Sequence, residues 1–282
     1  MTHEEAGAIL SATHRQALKT AFLILEQPDF AARLGDMAGA PLGQALKMTP
    51  RAFEARLSRA VEAALRRALG LAIRSLGDRP GRKSDSFALA GASGAVGGFL
   101  GAGALPLELS VTRTLILRAI AEVARRHGED LSRLEARMEC VRVLGLAARP
   151  SGEGPDVGYF AVRAAFSRLV ADAMTGLLIE RGATSASAPA MSAIVAAIAP
   201  RFGLVVSERA AASALPVLGA LGGATLNLLF VRHFQRAAHG HFTIRRLERR
   251  YGPEVVRAYY AGLAFKAASP RGVRPAPRRT IG

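Results

Sequence analysis

The chain has 282 residues, of which 50% are hydrophobic and only 6% aromatic, and its formal net charge at pH 7 is +16. This length suffices for one large domain or two small ones with a substantial buried core. Alanine, leucine and glycine provide most of the apolar residues, and the β-branched alternation typical of strands is scarce. The single cysteine, Cys140, excludes an internal disulfide and a cysteine-based metal site. The composition therefore favours an all-α fold.

Two amphipathic helices are predicted in the N-terminal part of the chain. Residues 4–26 have the apolar spacing of one helix. Residues 49–77 form the second, which begins with Thr49 as the N-cap and Pro50 in the first turn. Acidic residues close to the N-terminus, without an uninterrupted apolar core behind them, predict that the chain has no signal peptide.

An uncharged, glycine-rich segment follows at residues 86–107. Its glycines recur at three- and four-residue steps, which places them on one face of a helix and lets another backbone approach closely. Glycine costs about 1 kcal/mol per residue in a helix relative to alanine, so such a helix needs close packing or lipid to hold it. The candidate structural or ligand-contacting residues of this segment are Gly94, Gly97, Gly98, Gly101 and Pro106.

The helix after this segment carries polar residues in apolar surroundings. Pro106 is predicted to start it, with Glu108 in the first turn near the positive end of the helix dipole, and Gly128 to end it. Arg118 and Glu122 inside the helix have the i,i+4 spacing of an ion pair. We treat Glu108, Arg118 and Glu122 as further candidate structural or ligand-contacting residues.

The second half of the chain contains another uncharged window with glycines and a proline, residues 210–231. Asn227 is its least expected residue, because a buried asparagine must find hydrogen-bond partners. The candidate structural or ligand-contacting residues of this window are Pro216, Gly219, Gly223 and Asn227. Other helices are predicted over residues 129–147, 159–181, 242–251 and 253–266, with the clearest linker at 150–158.

Three uncharged windows of 22, 19 and 22 residues, at 86–107, 182–200 and 210–231, are long enough to span a membrane. Glycine, alanine and serine dominate the first two, and these residues drive insertion far less than leucine, isoleucine, phenylalanine and valine do. A buried helical hairpin in a soluble protein explains the windows as well as a membrane hairpin does. Both alternatives stay open.

Positive charge is concentrated near the C-terminus. Residues 232–257 contain seven arginines against two glutamates, and five more basic residues follow without an acid. Such an excess suits anionic lipid head groups or nucleic acid. Nucleic acid is the weaker alternative, because aromatic residues for base stacking are few. The candidate contacts to an anionic surface are Arg232, Arg236, Arg245, Arg246, Arg249 and Arg250.

No catalytic, metal or cofactor site is predicted. The glycine-rich segment lacks the Gly-Lys-Ser/Thr of a phosphate-binding loop. His233, His239 and His241 lie within nine residues but have no carboxylate or cysteine at metal-ligand spacing. We interpret them as surface histidines at a helix end, and Cys140 as a small core residue.

Two blocks of sequence resemble the EcsC family. The first is GGFLGAGALPLELSVTRTLILRAIAEVARRHGED at residues 97–130, with a glycine-rich segment, Leu-Pro and a helix leading to Gly-Glu-Asp. The second is ALPVLGALGGATLNLLFVRHFQRAAHGHFTIRRLERRYG at residues 214–252, with an asparagine after a glycine cluster and Arg-Arg-Leu-Glu before Tyr-Gly. This family is named for a bacterial protein encoded beside an ABC transporter. The resemblance implies a hydrophobic helical protein of undetermined activity that can associate with membranes, and it brings no catalytic or ligand-binding residues.

We therefore expect an all-α, multi-helix single domain in which two glycine/proline-rich central hairpins pack together. Residues 1–48 are expected to form N-terminal helices, residues 49–266 the EcsC-like helical domain and residues 267–282 a disordered basic tail.

The leading functional hypothesis is a non-enzymatic protein without a cofactor that associates with the cytoplasmic side of the inner membrane or with a membrane protein complex. The alternatives are a soluble protein that binds a hydrophobic ligand or lipid between its hairpins and, more weakly, a nucleic-acid-binding protein. An enzyme of unknown type also stays open. The sequence predicts neither the ligand nor the oligomeric state.

Overall fold

The structure is a computed structural model, and every regular element among the residues it describes is a helix. The all-α prediction is therefore confirmed. Helical residues also occur at 195–203 and 205–207. The described residues are 1–26, 105–147, 158–179, 195–203, 205–207 and 223–268. The helices are α1 (His3–Ile9), α2 (Ala12–Glu26), α3 (Leu105–Arg126), α4 (Leu134–Leu146), α5 (Tyr159–Ile179), α6 (Gly223–Tyr251) and α7 (Pro253–Ala268).

Several predictions fall on residues outside this part of the chain. These are the predicted helix at 49–77, residues 86–104 of the glycine-rich segment, the window at 182–200 up to residue 194, and the tail from residue 269. Of the window at 210–231, only residues 223–231 are described, as the beginning of α6. The two predicted hairpins therefore stay predictions.

Helix α6 is the central element, because it packs against α2, α3, α4 and α7. Phe230, Phe234 and Phe242 on α6 are fully buried, at the four- and eight-residue steps that place side chains on one helix face. Phe202 meets two of them, with ring centroids 5.5 Å from Phe234 and 6.4 Å from Phe230. Phe230 and Phe234 therefore form an aromatic cluster with Phe202 on the N-terminal half of α6.

The structure corrects the prediction of a separate helix at 242–251, since α6 runs without interruption from Gly223 to Tyr251. Gly240 lies inside the helix where α2 crosses it. A Cβ atom at that position would lie 2.8 Å from Cγ of Leu25, closer than real Cβ contacts come. The glycine is therefore explained by close packing between α2 and α6 and does not end the helix.

The prediction of one helix over residues 4–26 was also wrong. The backbone is extended at Leu10, which separates α1 from α2 and buries the Leu10 side chain. Ser11 then caps α2, because its hydroxyl accepts a hydrogen bond from the His14 amide at 3.3 Å. Arg15 stabilises the connection between α1 and α2 by donating hydrogen bonds to the carbonyl oxygens of Gly7 at 2.6 Å and Leu10 at 3.2 Å.

The remaining boundaries lie close to the predicted ones, with one shift. Gly128 follows α3 with a φ of +79°, and Gly252 separates α6 from α7 with a φ of +87°. Both conformations suit glycine. Helix α4 begins at Leu134, whereas the prediction placed its start at residue 129. A turn occupies the intervening residues, in which Asp130 accepts a hydrogen bond from the Ser132 amide at 3.0 Å.

The two ends of the described chain meet where α1 packs on α7. The His3 ring stacks on Tyr259 with a centroid distance of 4.5 Å, and its Nδ1 lies 3.0 Å from the Tyr259 carbonyl oxygen. Gly262 makes this approach possible, because a Cβ atom there would lie only 2.1 Å from Nδ1 of His3. The N-terminal helix is therefore an integral part of the fold.

Candidate functional site

Four exposed arginines lie along one face of α6, and we call them the arginine stripe: Arg232, Arg236, Arg246 and Arg250. Counted from Arg232, the other three lie at i+4, i+14 and i+18, so all four fall within about 80° of one helix face. At 1.5 Å per residue the stripe is about 27 Å long. Within the described part of the chain, none of these four guanidinium groups forms an ion pair with a carboxylate. Among the described residues, the stripe is therefore a band of positive charge without carboxylate partners.

The other two arginines of the predicted surface set bind carboxylates of the protein, although Arg249 is 43% exposed. The Arg245 guanidinium binds Glu129 at 2.9 Å and Glu139 at 3.1 Å, and its side chain is only 14% exposed. Arg249 also binds the Glu129 carboxylate, and it donates to the carbonyl oxygen of His127 at 2.7 Å. The prediction that Arg245 contacts an anionic surface is therefore wrong, because Arg245 forms ion pairs inside the protein. Arg249 likewise binds Glu129 and the His127 carbonyl oxygen.

A buried carboxylate, Glu139 on α4, connects this ion pairing to the core. It accepts hydrogen bonds from Arg142 at 2.8 and 2.9 Å and from Nε2 of His241 at 2.9 Å, besides its contact with Arg245. Burial alone would raise the pKa of Glu139. The hydrogen bond from His241 and the two arginine charges outweigh burial and lower it to about 2. Glu139 is therefore ionised at neutral pH.

His241 extends the network to α5. It is fully buried, and burial together with nearby arginine charge lowers its pKa to about 4 despite the carboxylate of Glu139. The neutral ring donates from Nε2 to Glu139, which leaves Nδ1 to accept the Tyr159 hydroxyl proton at 2.9 Å. Arg163 then donates to the Tyr159 oxygen at 3.4 Å and binds Glu248 through two contacts of 2.7 Å.

We call this set the buried polar network: Glu129, Glu139, Arg142, Tyr159, Arg163, His241, Arg245 and Glu248. Its Glu-His-Tyr hydrogen bonds resemble a proton relay, but His241 is 0% and Tyr159 3% exposed, so solvent does not reach the central groups. The network joins α4, α5 and α6 through charged hydrogen bonds. It therefore fixes the rotation of α6 about its axis, and that rotation turns the arginine stripe outward.

The interpretation of the three histidines as surface residues was wrong for two of them. His233 is buried and donates from Nε2 to the carbonyl oxygen of Ala147 at 2.6 Å, and His241 belongs to the buried polar network. Only His239 is exposed, and its Nδ1 lies 3.1 Å from Nε2 of His127. Among the described residues, no three His, Cys, Asp or Glu side chains are grouped so that they could hold a metal ion.

Comparison with known proteins places this chain in a family. The EcsC protein family matches residues 25–247. The chain belongs to the EcsC family. No curated protein and no solved structure matches it. Over the described ranges, no helix of this EcsC-family protein combines the length and the apolar character needed to cross a membrane.

The other predicted residues of this EcsC-family protein lie in different places. Arg118 is exposed, and Glu122 pairs with Arg126, not with Arg118. Asn227 is completely buried on α6, as its apolar neighbours indicated. Pro106 and Glu108 lie in the first turn of α3 and Gly223 begins α6. The candidates outside the described residues are Gly94, Gly97, Gly98, Gly101, Pro216 and Gly219.

Cys140 lies in the core of α4, where it is fully buried. Burial, with the negative charges of Glu129 and Glu139, raises the pKa of its thiol to about 12. A thiol that stays protonated at neutral pH is a poor nucleophile, which agrees with the interpretation of Cys140 as a core residue.

Sequence reasoning missed the buried polar network. One available signal was the i,i+3 pair Glu139 and Arg142 inside an otherwise apolar helix. A second was Tyr159 directly after the linker at 150–158. Neither signal identifies the partner, because Glu139 and His241 are 102 positions apart in the chain.

Proposed function

We propose that this EcsC-family protein associates with an anionic membrane surface through the arginine stripe of α6. The observation that carries the proposal is the geometry of the stripe: four exposed arginines on one face of a rigid helix, about 27 Å long, without ion-pair partners among the described residues. A flat anionic surface can meet all four at once, because they lie within about 80° of one helix face. Binding through such a stripe is peripheral and needs no membrane-spanning helix.

Rigidity supports this proposal. Helix α6 is held by packing on both sides and by the buried polar network, so its arginines are presented in a fixed row. Arg245 and Arg249 both bind Glu129, which keeps that carboxylate from reducing the positive potential of the stripe. Lys and Arg residues near an anionic membrane surface contribute about 1 kcal/mol each, so four contribute about 4 kcal/mol.

Nucleic acid is the other large anion that a basic helix can meet. Binding of single strands relies on aromatic side chains that stack on bases. The three phenylalanines of α6, Phe230, Phe234 and Phe242, are all fully buried. Tyr251, the other aromatic residue of α6, is half-buried, and the Arg250 guanidinium lies over its ring. The stripe therefore offers charge with little aromatic surface for stacking, which favours a lipid surface.

Vesicle co-sedimentation tests the proposal. We expect the protein to bind vesicles that contain phosphatidylglycerol and not vesicles of phosphatidylcholine alone. The quadruple variant R232Q/R236Q/R246Q/R250Q is expected to bind about 1000-fold more weakly, which corresponds to the loss of about 4 kcal/mol. Raising the salt from about 0.15 M to about 1 M shortens the Debye length from about 8 to about 3 Å and is expected to release the wild-type protein.

A control variant separates the stripe from net charge. R133Q/R168Q/R257Q/K266Q removes four exposed positive charges from other parts of the described surface and lowers the net charge by the same amount. We expect it to retain most of the affinity for phosphatidylglycerol vesicles. Equal losses in the two quadruple variants would contradict the proposal, as would tighter binding to single-stranded DNA than to these vesicles.

A further inference from the structure

His239 lies on the face of α6 that carries the arginine stripe. It follows Arg232 by seven residues and precedes Arg246 by seven, and seven residues are close to two helical turns. Its side chain is exposed, about 10 Å along the helix axis from each of these two arginines. A surface that meets the stripe therefore also meets the imidazole of His239.

The ring of His239 is oriented by His127, which directly follows α3. Nδ1 of His239 lies 3.1 Å from Nε2 of His127, and the two rings meet edge to face with a centroid distance of 5.1 Å. Nδ1 of His127 is buried and has no hydrogen-bond partner among the described residues. Because a buried N–H without an acceptor is costly, the His127 proton belongs on Nε2, where it is donated to Nδ1 of His239. The neutral His239 ring then carries its own proton on Nε2.

This hydrogen bond opposes protonation of His239 in the free protein. A second proton on His239 would occupy Nδ1, where it would meet the N–H group of His127. The hydrogen bond would re-form only if His127 moved its own proton to its buried Nδ1, which has no acceptor in the described part of the chain. Partial burial and the positive charges of Arg126 and Arg246 act in the same direction, so the pKa of His239 lies below its ordinary value of 6.5. His239 is therefore neutral at pH 7 in the free protein.

The carboxylates on the elements around His239 are engaged elsewhere. The titratable side chains on these elements are His14, Arg15, Lys19 and Glu26 on α2, Arg118, Glu122, Arg125 and Arg126 on the C-terminal half of α3, His127, Glu129 and Asp130 in the turn after it, and Arg236, Arg245, Arg246 and Arg249 on α6. The glutamates of α3 and of the turn form ion pairs with arginines. Glu26 and Asp130 accept hydrogen bonds from Tyr159 and Ser132, respectively. An anion that approaches the stripe is therefore the natural counter-charge of a protonated His239.

We propose that His239 is a proton-dependent fifth cation of the arginine stripe, so that acidification strengthens binding of the protein to an anionic lipid surface. This inference rests on the proposed membrane association and specifies how that association is regulated. The surface potential of an anionic membrane, about −30 mV, favours the protonated imidazole. Since binding thereby raises the pKa of His239, a proton is taken up on binding, and the affinity increases as the pH falls through this pKa. His127 is a positioning residue, because its donated hydrogen bond sets the pH at which His239 becomes charged.

Co-sedimentation with phosphatidylglycerol vesicles at pH 7 and at pH 5 tests this coupling, because the lipid phosphodiester stays anionic at both values. We expect the wild-type protein to bind up to about fivefold more tightly at pH 5, since one positive charge near an anionic membrane contributes about 1 kcal/mol. In H239Q the glutamine still accepts the His127 hydrogen bond but takes up no proton, so this gain is expected to fall below about twofold. H14Q is the matched control, because His14 is held by the Tyr251 hydroxyl group at 2.8 Å and has no contact with His127. It is expected to keep the wild-type response to pH.

H127F tests the role of His127, because a phenyl ring fills similar space without an N–H donor. We expect NMR titration of free H127F to show a higher pKa for His239 than in the wild-type protein, and vesicle binding to tighten at a correspondingly higher pH. An unchanged pKa would overturn the role of His127. Vesicle binding with the same pH response in wild type and H239Q, or a response lost in H14Q and kept in H239Q, would overturn the proton coupling but not the membrane association. Absence of vesicle binding at both pH values would overturn the membrane association and the coupling with it.

Discussion

Replacing Glu139 by glutamine tests whether the buried polar network holds α6 in place. Glutamine keeps the size of the side chain but removes the negative charge that Arg142, His241 and Arg245 share. Arg245 retains Glu129 at 2.9 Å, so the loss falls mainly on Arg142, whose side chain is only 6% exposed. Leaving one buried charge without its partner costs about 3–5 kcal/mol.

The pKa of Glu139 gives a second, independent value for the contribution of Glu139 to the free energy of unfolding. The network holds this pKa at about 2, against 4.5 for an ordinary glutamate. That difference corresponds to about 3 kcal/mol of stabilisation at neutral pH. The sign follows from linkage: the stabilisation is complete above pH 4.5 and is lost as the pH falls towards 2. Both routes predict that E139Q lowers the free energy of unfolding by about 3–5 kcal/mol.

Urea unfolding at pH 7, followed by circular dichroism, measures this difference. E135Q is the matched control on the same helix, because Glu135 is 63% exposed and touches Arg245 only at 3.8 Å. Its expected cost is below about 1 kcal/mol. In the double variant E139Q/R142M, the uncompensated buried charge is gone and part of the stability is expected to return. A free energy of unfolding for E139Q within about 1 kcal/mol of wild type would show that the buried polar network does not hold α6 in place.

Three further outcomes are expected from the same structure. G145A places a Cβ atom 2.4 Å from Cζ of Phe166, so we expect a loss of about 1–3 kcal/mol in urea unfolding despite better helix propensity, relieved by F166L. G262A forces His3 away from α7, so limited proteolysis should cleave α1 in G262A, and the protection should return in G262A/H3A. The pKa of His241 is about 4 in the folded protein and 6.5 in the unfolded chain, so unfolding takes up a proton between pH 4 and pH 6.5. The free energy of unfolding therefore decreases as the pH is lowered through this range. The contribution of His241 makes the free energy of unfolding about 2 kcal/mol lower at pH 5 than at pH 7, and H241Q should reduce this difference by that amount; an unchanged difference would contradict a neutral, buried His241.

Helix class and several helix ends could be predicted from the sequence because they depend on local signals. Pro106, Gly128 and Pro253 each lie at the end of a helix as expected, since proline and glycine act through their own backbone geometry. Gly240 looks like a similar signal for a helix end, but α6 continues through it. Its role depends on Leu25, which lies 215 positions earlier and which no local pattern connects to it. The break at Leu10 was missed for the same reason, because burial of that side chain decides it.

In the candidate site, too, some features could be predicted from local sequence and others depend on distant partners. The four arginines of the stripe were identified from charge density alone, and helical periodicity then places them on one face. Arg245 lies next to Arg246 in sequence but on another face of α6, where it binds two glutamates. A count of basic residues cannot separate the two. The histidines were misjudged because their environment is formed by partners such as Glu139 on another helix.

The most direct test of the electrostatic association proposed here is fractionation of the native protein, with membranes washed first in high salt and then in carbonate. We expect the protein to sediment with membranes in low salt and to be released by high salt alone, because screening removes the attraction between the arginine stripe and anionic lipid. Release of R232Q/R236Q/R246Q/R250Q already in low salt would agree with this. A protein that resists both washes, or one that never sediments with membranes, would contradict the account.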